Sequence, residues 1–245
     1  MQRGQAPSES ETPDAISATA SETATSAISD AGLAALLQDI EAGLLPQLRL
    51  RSASPFDPVL VERLPQPWRA LGTGNYAAVF LHPDCPELVV KIYAPGRPGL
   101  TQETEVYRRI GRHPAFSQCL HASDRYLVLR RLRGTTLYDC FRLGIPIPRQ
   151  VIEDVDRALA YARSQGLHPH DVHGRNVMMH QARGLVVDIS DFLNASPCSS
   201  WRDLRWAYFI LYRPIIAPLR LRFPPLLLNL LRRSYRRYRR LRPAH

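Results

Sequence analysis

Lysine is almost missing from this chain of 245 residues: 32 residues are basic, and Lys91 is the one that is not arginine. Arginine serves wherever a surface cation is enough, so Lys91 marks a place that calls for a compact ammonium where a planar guanidinium would not fit. Cysteine is scarce as well. Cys85, Cys119, Cys140 and Cys198 are scattered, with no C-x-x-C pair and none of the density of a disulfide scaffold, so reduced thiols are expected. The N-terminus has no basic stretch followed by an apolar one, and no secretory signal is expected. The most apolar region, 207–231, is broken by Arg213, Arg220, Arg222 and several prolines, which leaves no uninterrupted run of about 18 residues to span a bilayer. The expectation is a cytoplasmic monomer.

Acidic residues are absent beyond Asp203, where eleven arginines follow. Taking those from the 32 basic residues leaves 21 against 22 acids, so the net charge of +10 belongs to the C-terminal end. There Arg232, Arg233, Arg236, Arg237, Arg239, Arg240 and Arg242 interleave with Tyr235, Tyr238 and Leu241. Such a segment suits phosphates, whether of an anionic membrane surface or of RNA. The leucines after Pro224 and Pro225 add an apolar component that ranks the membrane first. A solvated basic helix end is the plainer alternative.

Composition and period divide the chain. Residues 1–29 are rich in Ser, Thr and Ala with few large apolar groups, so they are expected to be a disordered tail. In 30–65, Leu33, Leu36, Leu37, Ile40, Leu44 and Leu45 recur at helical spacing after the capping residues Ser29 and Asp30, which predicts an amphipathic helix, able to pack on the main domain from outside it, and a linker. Residues 66–133 take the period of strands at 77–81, 88–93 and 126–129, with a helix at 100–112. Residues 134–231 are mostly helical, interrupted by short strands at 176–180 and 185–188, and 232–245 form the arginine-rich tail. A β-rich lobe followed by a reduced α-rich lobe, an α+β fold with a cleft between the two, is expected.

The chemistry-bearing residues fall around that cleft. Leu71-Gly72-Thr73-Gly74 and, beyond it, Val79 place two glycines in a turn between strands, where backbone amides can approach a polyphosphate; an ordinary hairpin turn is the bland reading. Lys91 lies among apolar neighbours in a strand and needs a partner for its charge. Glu103 and Glu105 are the available carboxylates, and Glu103, one turn before Tyr107 on the buried stripe with Val106 and Ile110, is the better placed. The segment from Pro169 to Asn176 sets Asp171 and Asn176 five positions apart, able to hold a hydroxyl and a metal ion respectively. Twelve residues on, an apolar run ends in Asp188, a hard oxygen ligand suited to magnesium. His168, His170 and His173 more simply shape that loop than bind zinc, and Trp201, Trp206, Tyr208 and Phe209 at helical spacing are expected to pack in the core.

With glycine loop, strand lysine, helix glutamate, D-x-x-x-x-N loop and strand-terminal aspartate in this order over 70–192, the chain resembles the protein-kinase-like superfamily, including small bacterial serine/threonine-kinase-like proteins and RIO-type atypical kinases. The resemblance implies an ATP-dependent phosphotransferase using Mg-ATP on a hydroxyl-bearing substrate. Lys91 would hold the α- and β-phosphates and Glu103 would orient it. Asp171 would accept or orient the hydroxyl, Asn176 and Asp188 would ligate magnesium, and Leu71, Gly72, Gly74 and Val79 would line the nucleotide site. The chain departs from the family at Ala77 in place of the third glycine and at His170 before the loop aspartate. It reads Asp188-Ile189-Ser190, with Asp191-Phe192 following, where the family has Asp-Phe-Gly. A nucleotide-binding pseudokinase scaffold, or a kinase-like module docking on RNA or an anionic membrane through its arginine-rich tail, are the competing readings.

Overall fold

Ser29 opens the first helix by capping it: its hydroxyl accepts the Gly32 N–H at 3.1 Å. The computed structural model describes residues 29–54, 56–219, 222–224, 226 and 234. The two expected tails therefore lie, save for Ser29 and Ser234, outside the described residues.

Helix α1 (Asp30–Asp39) runs on through a π-helical turn (Ile40–Leu44) into α2 (Leu45–Gln47). Leu36, Ile40 and Leu44, four apart, are buried against Trp68, Phe80, Val90, Ile92, Tyr126 and Val128. Each such side chain contributes about 2 kcal/mol, so this helix is one wall of the first lobe's core. Trp68 Nε1 donates to Asp39 at 3.1 Å, and Arg125 pairs with Glu41 at 2.6 Å, fixing its direction. The stretch expected as a linker holds the antiparallel pair β1 (Arg49–Arg51) and β2 (Leu60–Arg63).

The main sheet contains β3 (Arg69–Thr73), β4 (Ala77–Leu81), β5 (Leu88–Tyr93), β6 (Cys119–Ala122) and β7 (Tyr126–Arg130) in the order β3-β4-β5-β7-β6, all antiparallel. Period two decides what each face meets. Leu88, Val90 and Ile92 of β5, with Tyr126 and Val128 of β7, pack under α1. Val89, with Leu127 and Leu129, faces the other way, into the cluster that takes in Val106, Tyr107 and Ile110 of α3 (Leu100–Ile110). Lys91, two on from Val89, shares that second face.

The second lobe begins with β8 (Thr135–Thr136) and α4 (Leu137–Leu143), followed by α5 (Arg149–Ser164). Then come β9 (Val177–His180), β10 (Arg183–Val186), α6 (Ser200–Ala207) and a π-helical continuation, Tyr208–Ile216. The small sheet has the order β10-β9-β8. The α5 stripe Val151, Ile152, Val155, Ala158, Leu159 and Ala162 belongs to one continuous core with Val177, Val186, Ile189 and Phe192 and with the α3 face of the first lobe. The expected α+β, two-lobed fold with a reduced helical second lobe is present. Trp201 and Tyr208 are buried as expected, but Trp206 is exposed: Trp201 and Tyr208 are seven apart and share a face, whereas Trp206 falls between them on another.

Candidate active site

The centre of β5 carries Lys91 toward α3, and the first turn of α3 carries Glu103 toward β5. The Lys91 ammonium donates to Glu103 Oε1 at 2.8 Å, and Glu103 is fully buried. Glu105 faces solvent and is occupied by Arg108 and Arg109, so of the two carboxylates Glu103 meets the lysine. Tyr93, two residues along the same strand face, donates its hydroxyl to the other Glu103 oxygen. The sequence reading had missed it; the period of two that puts Val89 and Lys91 on one face was the available signal. Lys91 Nζ also donates to Asp188 Oδ1 at 3.0 Å, across 97 residues of chain.

Burial alone would lower the lysine's pKa, but the Asp188 and Glu103 carboxylates outweigh it and hold the ammonium well above the ordinary lysine range. Reciprocally, Lys91 holds the Asp188 carboxyl below the ordinary aspartate value against a desolvation that works the other way. For Asp191 burial comes first and raises its pKa, and the charges of Asp188 and Asp171 add to the rise. One of the two neighbouring aspartates is thus held as an anion by a cation, and the other resists ionisation.

Asp171 and Asp188 both adopt left-handed backbone, with φ of +52° and +56°. Non-glycine residues enter that region at a cost of roughly 1 kcal/mol or more and collect at functional sites. The Asp171 amide N–H points at Cys198 Sγ, 3.4 Å away, and its carboxylate lies 3.7 Å from His173 Nε2. Its carbonyl accepts from Asn176 Nδ2 at 3.1 Å, which closes the five-residue loop. β9 begins one residue after Asn176, and β10 ends two residues before Asp188. The expected strands 176–180 and 185–188 are thus shifted, and both polar residues stand just off the small sheet. A last bond, Val187 N to the Asn176 carbonyl at 2.9 Å, brings the two segments together.

Asn176 and Asp188 are the residues that could hold a divalent cation of the magnesium type, while among the described residues no group of three or more His, Cys, Asp or Glu is arranged to hold one. Asn176 uses its amide nitrogen on Asp171, which leaves the amide oxygen to ligate, and Asp188 engages Lys91 and Ser190 through Oδ1. Two hard protein oxygens suit an ion that takes its remaining ligands from water and phosphate. Gly72 lies within β3, paired with Val79 across an irregularity in the ladder, rather than in the turn; Gly74 occupies the turn, its N–H bonded to the Ala77 carbonyl at 2.8 Å. Neither has a left-handed φ, a Cβ on Gly72 would meet nothing within 4 Å, and Leu71 beside it is exposed. The fold itself does not require glycine at 72. A cavity of 660 Å³ borders Tyr93, Arg97, Leu100 and Arg125 but none of Lys91, Asp171 or Asp188.

No protein-family model matches the chain. Over 151 residues, 60% of this chain and 70% of its relative, the sequence is 29% identical to a protein of Bacillus subtilis (strain 168) named "Putative serine/threonine-protein kinase YrzF". Together with the α+β fold, that similarity supports a kinase-like relationship for this chain.

Proposed function

We propose that the protein is an ATP-dependent phosphotransferase of the kinase type that transfers the γ-phosphoryl group of Mg-ATP to a hydroxyl, with serine or threonine as the acceptor. The observation that carries this reading is the Lys91 bridge: the one lysine of the chain links a buried helix carboxylate and the aspartate after β10 at 2.8 and 3.0 Å. A cation held by two carboxylates is oriented without being neutralised by direct burial, and its third donor remains for a phosphate oxygen.

In this reading Lys91 holds the α- and β-phosphates, Glu103 and Tyr93 orient it, and Leu71, Gly72, Gly74 and Val79 cover the nucleotide. Asn176 and Asp188 hold magnesium, which when bound draws charge from the phosphates. Asp171 orients the acceptor hydroxyl and takes its proton as the oxygen–phosphorus bond forms and the bond to the ADP oxygen breaks. The test is transfer of label from γ-labelled ATP to serine or threonine of the protein itself or of a generic acceptor. Magnesium-dependent transfer that falls at least about a hundredfold in Asp171→Asn is expected, from loss of a positioned general base. ATP binding without transfer, equal in both proteins, would contradict the reading and leave a nucleotide-binding scaffold.

A further inference from the structure

The face of the second lobe turned away from its core is apolar where a water-facing helix should be polar. Trp206 is 65% exposed, Ile210 57% and Ile215 52%, and Leu211 and Leu219 stand out beside them. The helical geometry collects them. In Tyr208–Ile216 N–H groups bond five residues back, as Ala217 N does to the Tyr212 carbonyl at 2.8 Å, so Ile210 and Ile215 lie one above the other. Trp206, four before Ile210 in α6, continues the row. Tyr208 and Tyr212 occupy the opposite side, where their hydroxyls bond the Ile147 backbone at 2.9 Å each. Among the described residues, the packing of this segment onto the second lobe does not use the outward row.

Beside that row Arg205 is paired with Asp156 at 2.7 Å and Asp203 lies one turn before Trp206 in α6, while the sequence beyond carries only basic charge. Exposed Arg213 lies within the segment, and from Arg205 to the end of the sequence there are eleven arginines and no acidic residue. A second copy of the chain would set exposed Arg213 against its own copy, and RNA offers no counterpart to the aliphatic Ile210, Leu211, Ile215 and Leu219. A phospholipid surface offers both, acyl chains for the apolar row and phosphates for the arginines. Among the described residues no helix is long and apolar enough to cross a membrane, so such a segment would lie in the interface. We infer that the Trp206–Ile210–Ile215 face is a peripheral docking surface for an anionic lipid bilayer.

The full chain is to be sedimented with vesicles of equimolar phosphatidylcholine and phosphatidylglycerol, and with phosphatidylcholine alone. Binding to the mixed vesicles should exceed binding to the neutral ones by about tenfold or more and should weaken as salt is raised. Because Trp68 and Trp201 are 3% and 9% exposed, a blue shift of tryptophan emission on binding should come from Trp206 and vanish in Trp206→Phe. The double variant Ile210→Asp, Ile215→Asp should lose about tenfold or more in binding. Absence of vesicle binding overturns the inference. So does vesicle binding that leaves Trp206 emission unmoved and the double variant unimpaired, since the arginines alone would then account for it. Binding of RNA in preference to vesicles, or a dimer that the double variant abolishes, overturns it too. Should the double variant fail to fold by thermal unfolding, the wild-type Trp206 shift decides.

Discussion

Lys91 is held by groups from three separate parts of the chain: Glu103 from α3, Asp188 from beyond β10, and the β5 backbone that aims it. Removing its charge would leave Glu103 as a buried carboxylate with only the Tyr93 hydroxyl, at a cost of about 3 kcal/mol or more, so loss of activity in Lys91→Met would not separate chemistry from folding. The two neighbouring aspartates offer a cleaner comparison, because Asp188 is kept ionised by Lys91 whereas burial and like charges work against ionisation of Asp191. Asp188→Asn should weaken magnesium-dependent nucleotide binding by about tenfold or more, and Asp191→Asn by much less. Isothermal titration with Mg-ATP measures both, and the reverse order would move the metal ligand to Asp191.

At the scale of elements, strand β3 and helix α5 show the two kinds of constraint. Gly72 sits in an exposed strand with room for a side chain, so Gly72→Ala should leave the unfolding midpoint unchanged or slightly raised. The same change should weaken ATP binding, because a methyl group would stand where the backbone meets phosphate. Equal ATP affinity would remove the glycine loop from the site. Gly184 is the opposite case: a Cβ there would meet the Val151 carbonyl oxygen at 2.3 Å, so α5 and β10 touch through it. Asp154 of α5 locks that contact, accepting the buried Gly184 N–H at 3.0 Å and Arg183 Nε at 2.7 Å.

Burial would raise the Asp154 pKa, but Arg183, the Gly184 amide, Gln150 and Arg157 together hold it well below the ordinary aspartate range. Its folded pKa is depressed, so its contribution is complete above the unfolded value of about 4 and is shed as pH falls through the folded one. Asp154→Ala should cost about 2 kcal/mol at neutral pH, chiefly from the orphaned Gly184 N–H, since Arg157 and Arg183 are exposed and add little. Denaturant unfolding should show this gap closing below pH about 4. A gap that is constant or widens in acid would contradict the assignment.

Over the whole molecule, what could be read from the sequence follows what burial imposes on it. β4, β5, β7, α3 and α5 supply the buried faces of the two cores, and a buried face must repeat its apolar residues at the period of its element, so each was legible. β1, β2 and β3 are largely exposed and carry no such repeat. Helix α1 was legible as a helix able to pack on the domain, but the residues it meets were not, because its partners Trp68, Phe80 and Tyr126 are distant in sequence. Lys91, Glu103, Asp171, Asn176 and Asp188 were named from residue type and spacing, and the fold supplies them from one strand, one helix and two loops. Tyr93, Ser190 and Cys198 were not assigned to the site: Tyr93 shares the Lys91 face of β5 by the period of two and Ser190 is two residues from Asp188, whereas Cys198 meets the Asp171 amide across 27 residues of chain.

The most direct test of the account rests on the scarcity of lysine: replace Lys91 by arginine and follow Mg-ATP turnover. The substitution keeps the cation that Glu103 and Asp188 require, and thermal unfolding should confirm a folded protein. The guanidinium is larger and planar and cannot reproduce a point contact to phosphate between those carboxylates and the glycine loop. Turnover should fall by about a hundredfold or more, near 3 kcal/mol in the barrier. Wild-type turnover in a folded Lys91→Arg protein would contradict the role assigned to the only lysine in the chain.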